Sequence, residues 1–347
     1  MRADCETKGA IPLTIQQEHW NTPAQGGNRR ISVIGCGRWG TFLAWYLERS
    51  GQQVCLYGRE GSARMEALVA TRTNGVTTLP ESVRLTHSLA EALERDTVVI
   101  SVGAQGLRGL LREIAALCPG GEGKRLVLCM KGLEAGTGKR LTTLVEEELP
   151  QARAAVWLGP GHVQEFTAGI PNCMVIDSKD EALKEELVAA FSSELIRFYY
   201  GRDLIGNEIG GASKNVIGIA AGMLDGLGLS SLKGALMSRG TREIARLIKA
   251  LGGNELSAYG LCHLGDYEAT VFSPYSHNRR FGEAFVTGEP YGELAEGYAT
   301  VKALVKLGED RWVALPICQA VYQVLYQGAD PRATLDGLFS RSLKQEF

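Results

Sequence analysis

The sequence predicts an α/β fold in which a doubly wound, mostly parallel sheet is followed by an all-helical C-terminal domain. Two observations carry this. From Arg30 to about residue 200, short apolar runs of strand length alternate with helix-like segments, the pattern of successive βαβ units. From about Gly201 the apolar period changes to that of helices and strand signals nearly vanish. A chain of 347 residues also suits two domains better than one. The expected division is an N-terminal extension over 1–29, a sheet domain over 30–200 and a helical domain over 201–347, with the interface between the two domains as the expected site.

Residues 1–29 mix acidic and basic groups and lack an apolar core before a cleavage site, which argues against a signal peptide and for a loosely ordered arm. At Arg30 the organisation changes. "RISVIGCGRWGTFLAWYLERSGQQVCLYGRE" passes from an apolar run through a glycine turn to helical spacing, then to a second apolar run over Val54 to Tyr57. Further strands are expected over Thr97 to Val102, Leu126 to Met130, Ala154 to Leu158 and Cys173 to Ile176. Helices are expected between them, as in "SLAEALERD" and "TGKRLTTLVEEEL". Beyond residue 200, "LIGNEIGGASKNVIGIAAGMLDGLGL" and "LPICQAVYQVLYQG" are apolar almost all round and rich in small residues, the mark of buried, closely packed helices.

Composition excludes several functions. The 37 Lys and Arg balance 39 Asp and Glu to a net charge of −2, which leaves no electrostatic footprint for nucleic acid. Eight cysteines lack CxxC spacing and mostly sit in apolar runs, so they read as reduced, buried thiols of a cytoplasmic protein rather than as a metal site. No apolar stretch is long enough to span a membrane.

In "GCGRWG", Gly35, Gly37 and Gly40 have the GxGxxG spacing of a Rossmann-type dinucleotide turn. The first glycine makes the turn, the second lets the backbone approach a pyrophosphate, and the third lets the helix pack on the strand. After the second strand comes Arg59, a cation suited to a 2′-phosphate, so NADP is favoured; the adjacent Glu60 keeps NAD open. Two lysines stand out. Lys131 follows a buried strand at the end where open sheets bind ligands, and Lys214 lies among small apolar residues near the start of a long helix. A buried ammonium needs a partner or a task, and Asp266 and Glu208 are both candidates to pair with Lys214.

The ordered set "VIGCGRWGT", "VLCMKGLEAGTGKRL", "GPGHVQEF", "GGASKNVIGIAAGMLDGLGL", "HLGDYEAT", "SHNRRFG" and "AEGYAT" resembles the NAD(P)-dependent glycerol-3-phosphate dehydrogenases of the bacterial type, from about Arg30 to Lys344. The resemblance implies reversible reduction of dihydroxyacetone phosphate by a cytoplasmic homodimer that needs no metal. It implies that Lys214 exchanges a proton with the substrate oxygen, in a network with Asp266 and Thr270. Lys131 would contact substrate and cofactor. Gly159, Gly161, Asn215, Ser276, His277, Asn278 and Arg279 would line the substrate, and Arg38, Trp39, His277 and Glu296 would join the glycines and Arg59 at the cofactor.

Three departures stand against this pattern. His277 occupies the place of an arginine, Gly161 that of a serine, and Gly103 with Ala104 that of Pro-Ser. To carry part of a phosphate clamp, His277 would have to act as imidazolium. The altered clamp keeps open a related dehydrogenase for another small carbonyl compound, for which Gly161 would leave room, or a silent NADP-binding sensor.

Arg59→Asp should weaken NADPH binding much more than NADH binding, because it replaces a cation at the 2′-phosphate with a repelling carboxylate. Titrating both cofactors checks this; equal losses would show that Arg59 does not discriminate.

Overall fold

The computed structural model describes residues 28–340, so nearly all of the expected N-terminal arm lies outside the described residues. One eight-stranded sheet is built from β1 (Arg30–Ile34), β2 (Gln53–Tyr57), β3 (Arg84–Thr86), β4 (Thr97–Ile100), β5 (Arg125–Leu128), β6 (Arg153–Leu158), β7 (Asn172–Asp177) and β8 (Ile196–Tyr200). Its order is β3-β2-β1-β4-β5-β6-β7-β8. Between these strands run α1 (Arg38–Arg49), α2 (Ala63–Thr71), α3 (Leu89–Ala92), α4 (Leu107–Leu117), α5 (Leu141–Glu148), α6 (Val163–Thr167) and α7 (Glu181–Phe191). The helical part consists of α8 (Leu204–Gly226), α9 (Lys233–Ala250), α10 (His277–Thr287), α11 (Glu296–Asp310), α12 (Pro316–Gln327) and α13 (Pro331–Phe339).

Strands β1 to β6 pair in parallel, as their continuous apolar runs predict; β4, for example, is buried at every position. Helices cover both faces. On one, α1 presses Phe42, Leu43 and Leu47 onto the sheet; on the other, α4 presents Leu107, Leu111 and Ile114 at helical spacing. The chain then departs from uniform direction. β7 runs antiparallel to β6, with Val156 opposite Asp177, and β8 runs parallel to β7. The order reverses between β1 and β4, so the crevice of a doubly wound sheet opens at the carboxyl ends of these two strands.

Nearly every residue of α8 from Gly206 to Leu224 is buried, because α9, α10, α11 and α12 surround it. Its glycines set the spacing. A Cβ on Gly222 would lie 1.8 Å from the Arg279 carbonyl oxygen, so α10 meets α8 backbone to backbone.

Gly222→Ala should force α10 off α8, at a cost of about 1–3 kcal/mol for overpacking. Chemical denaturation checks this, and a midpoint equal to that of the unaltered protein would show that α10 yields without cost.

Candidate active site

The glycine turn follows β1 directly. Gly35 has φ +112°, and a Cβ there would stand 2.2 Å from the Ser101 carbonyl oxygen, so the turn closes against the end of β4. Gly37 faces open space: its Cβ would meet only Arg64 Nη1, at 3.7 Å. The first turn of α1 begins at Arg38, offering unpaired N–H groups beside that space. This cradle fits a dinucleotide pyrophosphate. Arg38 is exposed, Trp39 packs on Phe42 and Phe166, and Arg59 and Glu60 are exposed just past β2, with no ion pair for Arg59 among the described residues.

Across the cleft lies a compact charged centre. Lys131, past the end of β5, donates from Nζ to the Gly159 carbonyl at 2.6 Å and to Asp266 Oδ2 at 2.6 Å. Lys214, in the middle of α8, reaches the same Oδ2 at 3.1 Å and donates to Thr270 Oγ1 at 2.7 Å. Asp266 is therefore the partner of Lys214. Glu208, the other candidate, instead accepts from Arg140, from the Thr142 backbone N–H and from the Thr142 hydroxyl, holding the start of α5. Asp266 and Thr270 are 1% exposed; a π-helical turn over Glu268–Phe272 places Thr270 beside the lysine. Burial lowers the Lys214 pKa to about 8; Asp266 opposes that fall and Lys131 adds to it.

A string of amides ties this centre to both domains. Asn215 Nδ2 donates to the Lys131 carbonyl at 2.7 Å, Asn278 Nδ2 donates to Asn215 Oδ1 at 3.0 Å, and the Gly297 N–H donates to Asn278 Oδ1 at 2.9 Å. The neighbouring Glu296 accepts at 3.1 Å from the Ala104 N–H, so a carboxylate from α11 reaches the exit of β4. Burial pushes the Glu296 pKa up.

The segment "SHNRRFG" divides its side chains between tasks. Ser276 caps α10, its Oγ accepting from the Arg279 N–H at 3.3 Å. The Arg279 guanidinium is engaged within the helical part, pairing with Asp225 at 2.6 Å and Glu283 at 3.2 Å, and it is not brought to Lys214. His277 Nδ1 lies 3.1 Å from Arg280 Nη2 and 2.9 Å from the Tyr291 hydroxyl. A guanidinium only donates, so Nδ1 accepts and the ring is neutral with its proton on Nε2. Burial, together with the positive charge of Arg38 and Arg280, lowers the His277 pKa. The expected imidazolium is therefore not what this environment favours.

Gly161 also differs from expectation. A Cβ there would fall 2.3 Å from the Phe166 ring, so the space beside the glycine is filled rather than open. Sequence reasoning missed His162, Tyr291 and Arg64. His162 packs edge-on to Tyr275, and burial with the nearby Lys214 charge lowers its pKa to about 4. Its position directly after "GPG" at the end of β6 is the signal that could have found it.

A glycine-turn sheet facing a buried lysine across a domain cleft is the arrangement of a nicotinamide-dependent dehydrogenase. The description "NAD-dependent glycerol-3-phosphate dehydrogenase N-terminus" matches residues 30–184 and its C-terminal counterpart residues 203–336. A Bradyrhizobium sp. (strain ORS 278) protein named glycerol-3-phosphate dehydrogenase (NAD(P)+) is 38% identical over 322 residues, covering 91% of this chain and 98% of its own. A Thermus thermophilus protein of the same name is 39% identical over 330 residues, covering 91% and 100%. The crystal structure of glycerol-3-phosphate dehydrogenase from Coxiella burnetii superposes with a TM-score of 0.85 at 29% identity, covering 90% of this chain and 99% of that one. The chain belongs to the NAD-dependent glycerol-3-phosphate dehydrogenase family.

Asp266→Asn should leave the buried Lys214 ammonium and the partly exposed Lys131 ammonium without their shared carboxylate and lower stability at pH 7 by about 3–5 kcal/mol. Denaturation measures this; a loss below about 1 kcal/mol would show that the lysines find other partners.

Proposed function

We propose that this chain catalyses the reversible NAD(P)H-dependent reduction of dihydroxyacetone phosphate to sn-glycerol 3-phosphate, with NADP preferred and NAD accepted. Membership of the family and the names of its relatives support the reaction; the observation that carries the mechanism is the buried Lys214, bonded to Asp266 and Thr270 with its pKa lowered to about 8. When bound, the cofactor supplies hydride to the carbonyl carbon. Lys214 Nζ then stabilises the developing alkoxide and delivers its proton to that oxygen; in the reverse direction it takes the proton from the alcohol.

Asp266 holds the ammonium in place, and Thr270 fixes its direction. Lys131, with one bond to the Gly159 carbonyl and one to Asp266, keeps a second positive charge at the mouth for a phosphorylated substrate. Asn215 and Asn278 lie in the same polar string and are read as substrate contacts, with Ser276 shaping the start of α10. Phe166 fills the space beside Gly161, which favours the small triose phosphate over a bulkier carbonyl compound. The division at about residue 200 then separates cofactor binding from substrate closure. A cytoplasmic homodimer belongs to the same reading; among the described residues no helix is long and apolar enough to cross a membrane.

Only protonated Lys214 can donate, so ketone reduction should fall as pH rises through about 8, whereas alcohol oxidation, which needs the free amine, should rise over the same range. Lys214→Met should lower turnover about a hundred-fold to ten-thousand-fold while leaving NADPH affinity nearly unchanged. Steady-state assays with dihydroxyacetone phosphate and NADPH check both, and near-normal turnover in Lys214→Met would move the proton to another group.

A further inference from the structure

The arginine absent from position 277 leaves a question of charge, since a neutral histidine cannot take its place at an anion. The cleft supplies an answer from three helices. Arg38 is the first residue of α1, immediately after Gly37. Arg64, in the first turn of α2, brings Nη1 within 3.7 Å of where a Gly37 side chain would begin. Arg280 lies one turn into α10, with Nη2 3.1 Å from His277 Nδ1 and its guanidinium 5.8 Å from the centre of the Tyr291 ring. The positive charges of Arg38, Arg280 and Arg64 all bear on His277, and the Glu293 carboxylate acts on it in the opposite sense.

None of Arg38, Arg64 and Arg280 forms an ion pair with a carboxylate among the described residues; for the exposed Arg38 and Arg64 that is usual, but the half-buried Arg280 differs from Arg108, Arg140 and Arg279, which are half-buried and paired. Arg280 Nε is buried without a hydrogen-bond partner. Three like charges set against the single opposing charge of Glu293 leave a surplus that repels, and a bound polyanion relieves the repulsion. The open face of Gly37 is where a diphosphate fits.

We propose that Arg280, aimed by His277 and Tyr291, replaces the arginine that the family pattern has at position 277 and closes with Arg38 and Arg64 on the cofactor's diphosphate. The proposal rests on the cofactor reading above and assigns His277 a positioning role: its Nδ1 accepts from Arg280 and holds the guanidinium, which makes charge-assisted bonds to phosphate oxygen. Position 277 thus acts through its neighbour one turn along the helix.

The test is direct binding of NADPH, ADP-ribose and adenosine to the full chain, followed by fluorescence or calorimetry without substrate. Arg280→Ala should raise the dissociation constants of NADPH and ADP-ribose about ten- to a hundred-fold, the loss of a charge-assisted bond, and leave adenosine, which lacks the diphosphate, unchanged. His277→Arg in the Arg280→Ala background should restore most of the lost affinity, whereas His277→Arg alone should gain little. In assays, Arg280→Ala should raise KM for NADPH with kcat at saturation nearly kept, a split that a merely structural residue does not give. Should Arg280→Ala fold poorly in thermal unfolding, Arg280→Gln keeps the stem and carries the same expectations. Unchanged NADPH affinity in these variants, or a double variant as weak as Arg280→Ala, overturns the proposal. Failure of the unaltered chain to bind ADP-ribose overturns the cofactor reading, and the clamp with it.

Discussion

One carboxylate oxygen, Asp266 Oδ2, holds two ammonium groups, 2.6 Å from Lys131 and 3.1 Å from Lys214. The lysines come from different parts of the chain, one past a strand of the sheet and the other from the central helix of the bundle, so this oxygen fixes the distance between the two halves of the site. It also sets the charge. Two cations against one anion leave the centre positive in a place where desolvation is costly, a surplus that, on the proposed function, would draw an anionic substrate and a developing alkoxide. The same burial that makes the pair expensive brings the Lys214 proton within reach of neutral pH.

Other buried acids in the molecule show what the same residue type does without a reaction to serve. Glu208 is bonded on both oxygens by Arg140 and Thr142. Glu243 accepts the Ile317 and Cys318 N–H groups and so holds the start of α12. In both, burial pushes the pKa up while every bond is internal and complete. Asp266 differs: its Oδ1 has no hydrogen-bond partner, and its Oδ2 serves side chains that face the cleft. Glu208 and Glu243 are thus completely satisfied, whereas Asp266 keeps spare capacity, as the proposed function would have it.

The sheet was legible because parallel strands buried on both faces are written as unbroken apolar runs, as in β4 and β5. β3, three residues long, and β8, whose Tyr199 and Tyr200 are exposed, carry no such run and were not read. Lys131, Lys214 and Asp266 were legible as charges in apolar or motif surroundings; the choice of Asp266 over Glu208 followed from the family resemblance and not from the residues themselves, since both lie at workable distances along the chain and only the fold separates them. The state of His277 was hidden for a related reason. It depends on Tyr291, fourteen residues away on a loop, and on which nitrogen of the ring faces Arg280. The filled space at Gly161 depends on the direction of the Phe166 ring, which no spacing rule gives.

The reversed β7–β8 pair gives α8 a particular entry point. Because β8 runs against β6, the chain leaves the sheet beside Asp177, which accepts from the Asp203 N–H and the Asn207 side chain, below the carboxyl edge where Lys131 and Gly159 sit. From Leu204 the helix then climbs to Lys214, a rise of about 15 Å at 1.5 Å per residue. Rise and rotation are coupled in a helix, so this stretch fixes the azimuth of the lysine along with its height. A single inserted or deleted residue between the two would turn the ammonium by about 100° around the helix axis, out of the cleft and into a neighbouring helix. The strand reversal thereby makes the residue count from Leu204 to Lys214 a matter of phase, a constraint on length that is separate from the constraint on side-chain size at the buried Gly206 and Gly210.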